Sequence, residues 1–184
     1  MDKTLQTHLD NLWTTDRDAQ NAAYAFVMQA AEQPVDWAYA VWDVVVANLT
    51  HADNHNRAIA GQLLSRLAIS DPDGRILKDF KALLNVTRDE RFVTARHTMQ
   101  SIWRVGLAGE EHRTLLLKGL KTRYDECAKE KNGALTRYDI HVTMRALHDA
   151  VSDEKFKISA LAWIELESDP KLRKKYAGAW KKKR

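Results

Sequence analysis

Cysteine is nearly absent: Cys127 is the one thiol in 184 residues, which excludes an internal disulfide framework and a cysteine-built zinc site. Proline and glycine are also scarce, at three and seven residues, too few for a collagen-like or low-complexity chain or for many short strands joined by hairpins. No run of about 18 uncharged apolar residues is available to cross a bilayer. The start, Met1-Asp2-Lys3-Thr4, lacks the basic and then apolar segment of a secretory signal. A cytoplasmic, all-helical protein folded as one domain over 1–184 is the expectation.

What is present is 45% hydrophobic and 29% charged residues, with the charge unevenly placed. Residues 1–74 hold four Lys/Arg against ten Asp/Glu, whereas 171–184 hold eight Lys/Arg and no acid. The formal net charge of +4 therefore belongs to the C-terminal end, where a basic helix and tail over 170–184 are expected.

Apolar residues recur at steps of three and four: Ala38, Val41, Trp42, Val45 and Leu49; Ile59, Leu63 and Leu67; Ala95, Met99 and Ile102; Leu116, Leu120 and Tyr124. Each set lies on one helical face. Pro34, Pro72 and Pro170 read as helix starts, the last two with Asp71 and Asp169 as caps. The pattern predicts ten helices over 3–14, 16–32, 35–49, 54–69, 73–85, 89–105, 110–131, 135–151, 154–167 and 170–182. The core is predicted from Trp42, Val45, Leu63, Leu64, Leu67, Phe92, Met99, Ile102, Leu116 and Leu120. Short connections make successive helices antiparallel neighbours.

One helix opening repeats. Asp53-Asn54-His55-Asn56-Arg57 with Ala60, Leu64 and Leu67 returns about 36 residues later as Asp89-Glu90-Arg91-Phe92 with Ala95 and Met99, and again as Asp153-Glu154-Lys155-Phe156. An Asp cap, a basic or aromatic residue, a small residue and a leucine stripe resemble the second helix of HEAT and armadillo-type repeats. That resemblance implies a right-handed α-solenoid of antiparallel helix pairs, open, with distant termini; an irregular helical bundle is the alternative, since Asp153 opens an odd-numbered helix and the other two open even-numbered ones. Trp42-Asp43-Val44-Val45-Val46 resembles the tryptophan-aspartate segment of the HEAT-like alkylpurine DNA glycosylases, which implies a basic concave face for DNA. The fourth position after the tryptophan, where that family's catalytic carboxylate stands, is Val46, which cannot stabilise a developing cation. Trp163 and Glu167 have the spacing but not the surroundings.

Catalytic motifs are missing: there is no glycine-rich phosphate loop, nucleophile elbow or His-Glu-x-x-His. His51, Asp53 and His55 offer three metal-type ligands but read better as a solvated loop and cap. Neither a metal nor another cofactor is expected. The informative polar pattern is basic. Arg137, His141, Arg145 and His148 form one helical stripe, Arg96, Gln100 and Arg104 a second, and Lys174 and Lys175 stand in the basic tail with Tyr176 and Trp180. These residues are the candidate partner- or phosphate-binding set. The function expected is a non-enzymatic scaffold binding a protein or peptide on a concave face, with nucleic-acid binding as the alternative.

Overall fold

The structure, a computed structural model, describes residues 2–181. Among them are ten α-helices and no strand: α1 (Lys3–Asn11), α2 (Arg17–Ala30), α3 (Ala38–Asn48), α4 (Asn54–Leu67), α5 (Arg75–Val86), α6 (Phe92–Ser101), α7 (Glu110–Glu126), α8 (Gly133–Val151), α9 (Glu154–Glu165) and α10 (Pro170–Gly178). No helix is long and apolar enough to cross a membrane.

Aspartate opens many of these helices. Side chains of Asp16, Asp53, Asp153 and Asp169 accept from backbone N–H groups in the first turns of α2, α4, α9 and α10, donors that the helix itself leaves unsatisfied. Pro170 stands at the first helical position as expected. Pro34 and Pro72 do not: α3 begins only at Ala38, and Pro72 lies in a turn that ends at Gly74, whose φ of +67° favours glycine. Asp71 still serves α5, accepting from the Ile76 N–H at 2.7 Å. The expected helix over 89–105 divides into α6 and a tighter 3-10 segment, Ile102–Ala108.

The even-numbered helices touch in succession, α2 on α4, α4 on α6, α6 on α8 and α8 on α10, while α3 packs on α5 and α5 on α7. Hydrogen bonds between successive pairs join residues 32 to 44 positions apart, among them Tyr39 to Asp71, Gln20 to Asn56, Trp42 to Asp79, Tyr24 to Gln62, Gln100 to Asp139 and Thr143 to Met99. The caps take part. Arg17 of α2 pairs with Asp53 before α4, and Arg57 of α4 pairs with Asp89 before α6. Arg113 of α7 meets Asp153 before α9, so an arginine reaches the aspartate ahead of the next helix on both rows.

Nine of the ten predicted core residues are buried, with Leu63, Leu64 and Leu67 fully enclosed in α4. Phe92 is the exception: it is the first residue of α6 and remains half-buried, because a helix end at the surface has neighbours on one side only. Helices α4 and α6 approach closely at Gly61, where a Cβ would overlap the Thr98 side chain.

Candidate interaction surfaces

The predicted basic stripes are largely neutralised from within. On the α6 side, Arg96 reaches Asp139 at 3.0 Å, Gln100 donates to the same carboxylate at 3.1 Å, and Arg104 donates to Glu32 at 2.9 Å. Asp139 is 1% exposed, and burial pushes its carboxyl up despite Gln100 and Arg96. Glu32 also accepts from Arg66 at 2.9 Å. Burial raises the Glu32 carboxyl, the two guanidinium groups outweigh it, and the group rests below the ordinary carboxylate range.

On α8, the expected continuous stripe is not one surface, and that reading is corrected. Arg137 lies over the Tyr124 ring, donates to the Tyr124 carbonyl and pairs with Glu167 at 3.0 Å. Arg145 is held by Asp149 and by the Trp180 carbonyl. His148 faces the Asp153 carbonyl at 3.3 Å. His141 is fully buried between Tyr124 and Tyr176, with ring centroids 5.6 and 5.2 Å away. Burial, aided by the Arg137 charge, depresses the imidazole to about 4, while burial raises the Tyr124 hydroxyl to about 12 and the Tyr176 hydroxyl further still. Neither His141 ring nitrogen nor the Tyr176 hydroxyl has a hydrogen-bond partner among the described residues. His141 is therefore an interior residue rather than a surface contact.

The tail differs. Lys171, Lys174 and Lys175 are exposed on α10 and have no carboxylate partner among the described residues, and the Lys175 ammonium stands 5.3 Å from the Tyr138 ring centroid. Residues 182–184 of the predicted basic tail lie outside the described residues.

The other sequence candidates resolve into local structure. His51 Nδ1 accepts from the Asp53 N–H, and Asp53 in turn caps His55 and binds Arg17. No group of three metal-type ligands forms among the described residues. Trp42 is buried and donates to Asp79, with Val46 packed against the core. Glu167 is occupied by Arg137 and the Asp169 N–H.

A surface the sequence did not single out lies between α7 and α9, whose backbones stay apart while side chains meet at the two ends, Arg113 on Asp153 and Lys155 on Glu110 at one and Tyr124 on Trp163 at the other. There a groove of about 520 Å³ has an apolar floor of Leu117, Phe156 and Trp163, and its rim carries Arg113, Lys118, Lys121 and Lys155 against Glu110 and Asp153. A smaller cavity of about 110 Å³ adjoins it, sharing Lys121 and Trp163 and ending at Leu166. Leu166 is 79% exposed at that end. The only prior signal was that α9 is apolar on more than one face, with Ile158 and Leu161 exposed as well.

No protein-family model matches the chain, and no curated protein matches its sequence. Among solved structures it is similar to two engineered proteins. One has 17% identity and a TM-score of 0.51 over 97% of this chain and 47% of that one; the other has 17% identity and a TM-score of 0.53 over 97% and 78%. The chain thus spans about half the length of the first, and the likeness is one of helical fold alone.

Proposed function

We propose that the chain is a HEAT-like helical-repeat scaffold, a right-handed stack of antiparallel helix pairs, that binds a protein or peptide partner. The succession of contacts within the even-numbered row, and hydrogen bonds that join successive pairs 32 to 44 positions apart, support the repeat reading. The observation that carries the function is the contrast between two surfaces. Arginines suited to an anionic track are satisfied by Glu32, Asp139, Asp149 and Glu167, while a groove between α7 and α9 presents an apolar floor. A partner recognised by shape and apolar contact fits the second surface.

A second reading, nucleic-acid binding, is favoured by the unpaired lysines of α10 beside Tyr138. Affinity capture from native lysate, split into nuclease-treated and untreated halves, separates the two. The scaffold reading expects a protein captured equally in both, which then binds as a purified component with weak salt dependence. Capture lost on nuclease treatment, or duplex binding that falls by a log–log slope of roughly 0.9 per phosphate neutralised, supports the second reading and rejects the first.

A further inference from the structure

We propose that the groove between α7 and α9 is the docking site for an acidic amphipathic helix of a partner protein, an inference that rests on the scaffold reading and names its partner's chemistry. The shape is that of a trough. On α7 the lining positions 110, 113, 114, 117, 118 and 121 recur at three and four, so they form one stripe along three turns, roughly 16 Å at 1.5 Å per residue. The wall opposite is α9, running in the same direction: Lys155 meets Glu110 at their N-terminal ends, and Trp163 lies under Lys121 at the far end.

The trough lies on the face of α7 that turns away from α5. Against α5 the helices close on Gly119, where a Cβ would come within 2.7 Å of the Phe80 ring. Toward α9, α7 presents Thr114, Leu117, Lys118 and Lys121 instead.

The floor asks for apolar anchors at helical spacing, and the rim decides their company. Lys118 is exposed and has no ion-pair partner among the described residues. Among the described residues Lys155 pairs with Glu110 alone, with both side chains 70% exposed or more, and the one carboxylate on Lys121 is the exposed Asp125. Such pairs contribute little and exchange readily. Asp153 is committed to Arg113 and to capping α9. The rim therefore offers three re-pairable cations around an apolar strip. A helix with leucine-type anchors at i, i+3 and i+7 and carboxylates on its flanks complements it; a phosphate backbone has no use for the apolar floor.

The probe is a fluorescein-labelled helical peptide of about four turns, with Leu at the anchor spacing and Glu on the flanks, compared with its counterpart carrying Lys in place of every Glu. Binding to the full chain is read by fluorescence polarisation. The Glu peptide is expected to bind at least tenfold more tightly than the Lys peptide, and Lys118→Glu/Lys155→Glu to weaken it at least tenfold with an unchanged circular dichroism spectrum. Both lysines are exposed, so the fold tolerates the exchange; Leu117→Gln provides an independent loss through the floor. Equal binding of the two peptides, no binding of the Glu peptide, or indifference to the double exchange would overturn the proposal. So would a wild-type chain that self-associates in sedimentation and dissociates on charge reversal, because the occupant is then a second copy. A protein partner captured equally by wild type and the double variant sinks the groove and leaves the scaffold reading standing; the absence of any protein partner sinks both.

Discussion

Glu32 and Arg104 stand 72 positions apart in the chain and meet at 2.9 Å. The same carboxylate accepts from Arg66 at 2.9 Å, so one side chain after α2 ties together the ends of α4 and of the segment following α6. Two guanidinium groups share one acid, and burial, together with the proximity of Arg104, lowers the affinity of Arg66 for its proton. The contact is a lateral tie joining the chain after α2, the last turn of α4 and the 3-10 segment after α6.

Glu32→Gln keeps the shape and removes the charge, leaving two guanidinium groups in contact without an anion. Because the Glu32 side chain is 45% exposed, water screens much of the interaction, and the expected loss is about 1 kcal/mol. The sign with pH is fixed by the lowered carboxyl: the contribution is present above the ordinary carboxylate range and lost as pH falls through the depressed value. Urea unfolding of wild type, Glu32→Gln, Arg66→Ala and the double variant measures the coupling, which should be clearly non-zero.

How much of this was legible in the sequence depends on the range of the interaction. Caps and stripes are local. Asp53, Asp153 and Asp169 mark helix starts because the backbone donors they satisfy lie within three residues, and the leucines of α4 mark a buried face because helical geometry places them together. The arginine stripes were read correctly as spacing and misread as an open surface, because their acids come from elsewhere: Asp139 for Arg96, Glu32 for Arg104 and Glu167 for Arg137. His141 shares the stripe's spacing but turns inward between two tyrosines. The α7–α9 groove had little local signature beyond the apolar residues on more than one face of α9, since Leu117 and Lys118 form an ordinary amphipathic pattern until the separation of the two helices is known.

Leu64 is fully enclosed in α4, which is covered by α2, α3, α5 and α6. Leu64→Ala should cost about 2–5 kcal/mol in chemical denaturation, the lost transfer energy plus a cavity that rigid neighbours cannot close. Phe92→Ala should cost less than that, because half-burial leaves room for water to replace the ring. The reverse order would place the main core at the start of α6 rather than within α4.

Gly61 permits the close approach of α4 to α6, and its missing Cβ would collide with Thr98. Gly61→Ala gains intrinsic helix propensity, yet overpacking should win, with a net cost of about 1–3 kcal/mol. The Thr98 hydroxyl has no hydrogen-bond partner among the described residues, so Thr98→Ala removes atoms from the collision without breaking a bond. In the Gly61→Ala background it should restore part of the lost stability. A Gly61→Ala chain as stable as wild type would show that the two helices separate freely.

His141 supplies the sharpest pH test. Its ring is fully buried, flanked by Tyr124 and Tyr176, and the nearest charge is Arg137, itself paired with Glu167. Burial holds the imidazole at about 4 instead of the ordinary 6.5, so between those values the unfolded chain binds a proton that the folded chain refuses. Unfolding then takes up a proton, and stability rises with pH across the window and falls as the solution is acidified. At pH 7 the term vanishes, because the ring is neutral in both states; the full penalty, about 3 kcal/mol, is reached only near the depressed value. His141→Phe preserves an aromatic ring between the tyrosines and removes the proton. The variant should lose the slope between about pH 4.5 and 6.5 while its carboxylates still titrate below, and the wild-type ring proton signals should keep their neutral positions through that window. Parallel stability curves for wild type and His141→Phe would mean that His141 takes up its proton inside the fold, with water or a carboxylate reaching the ring.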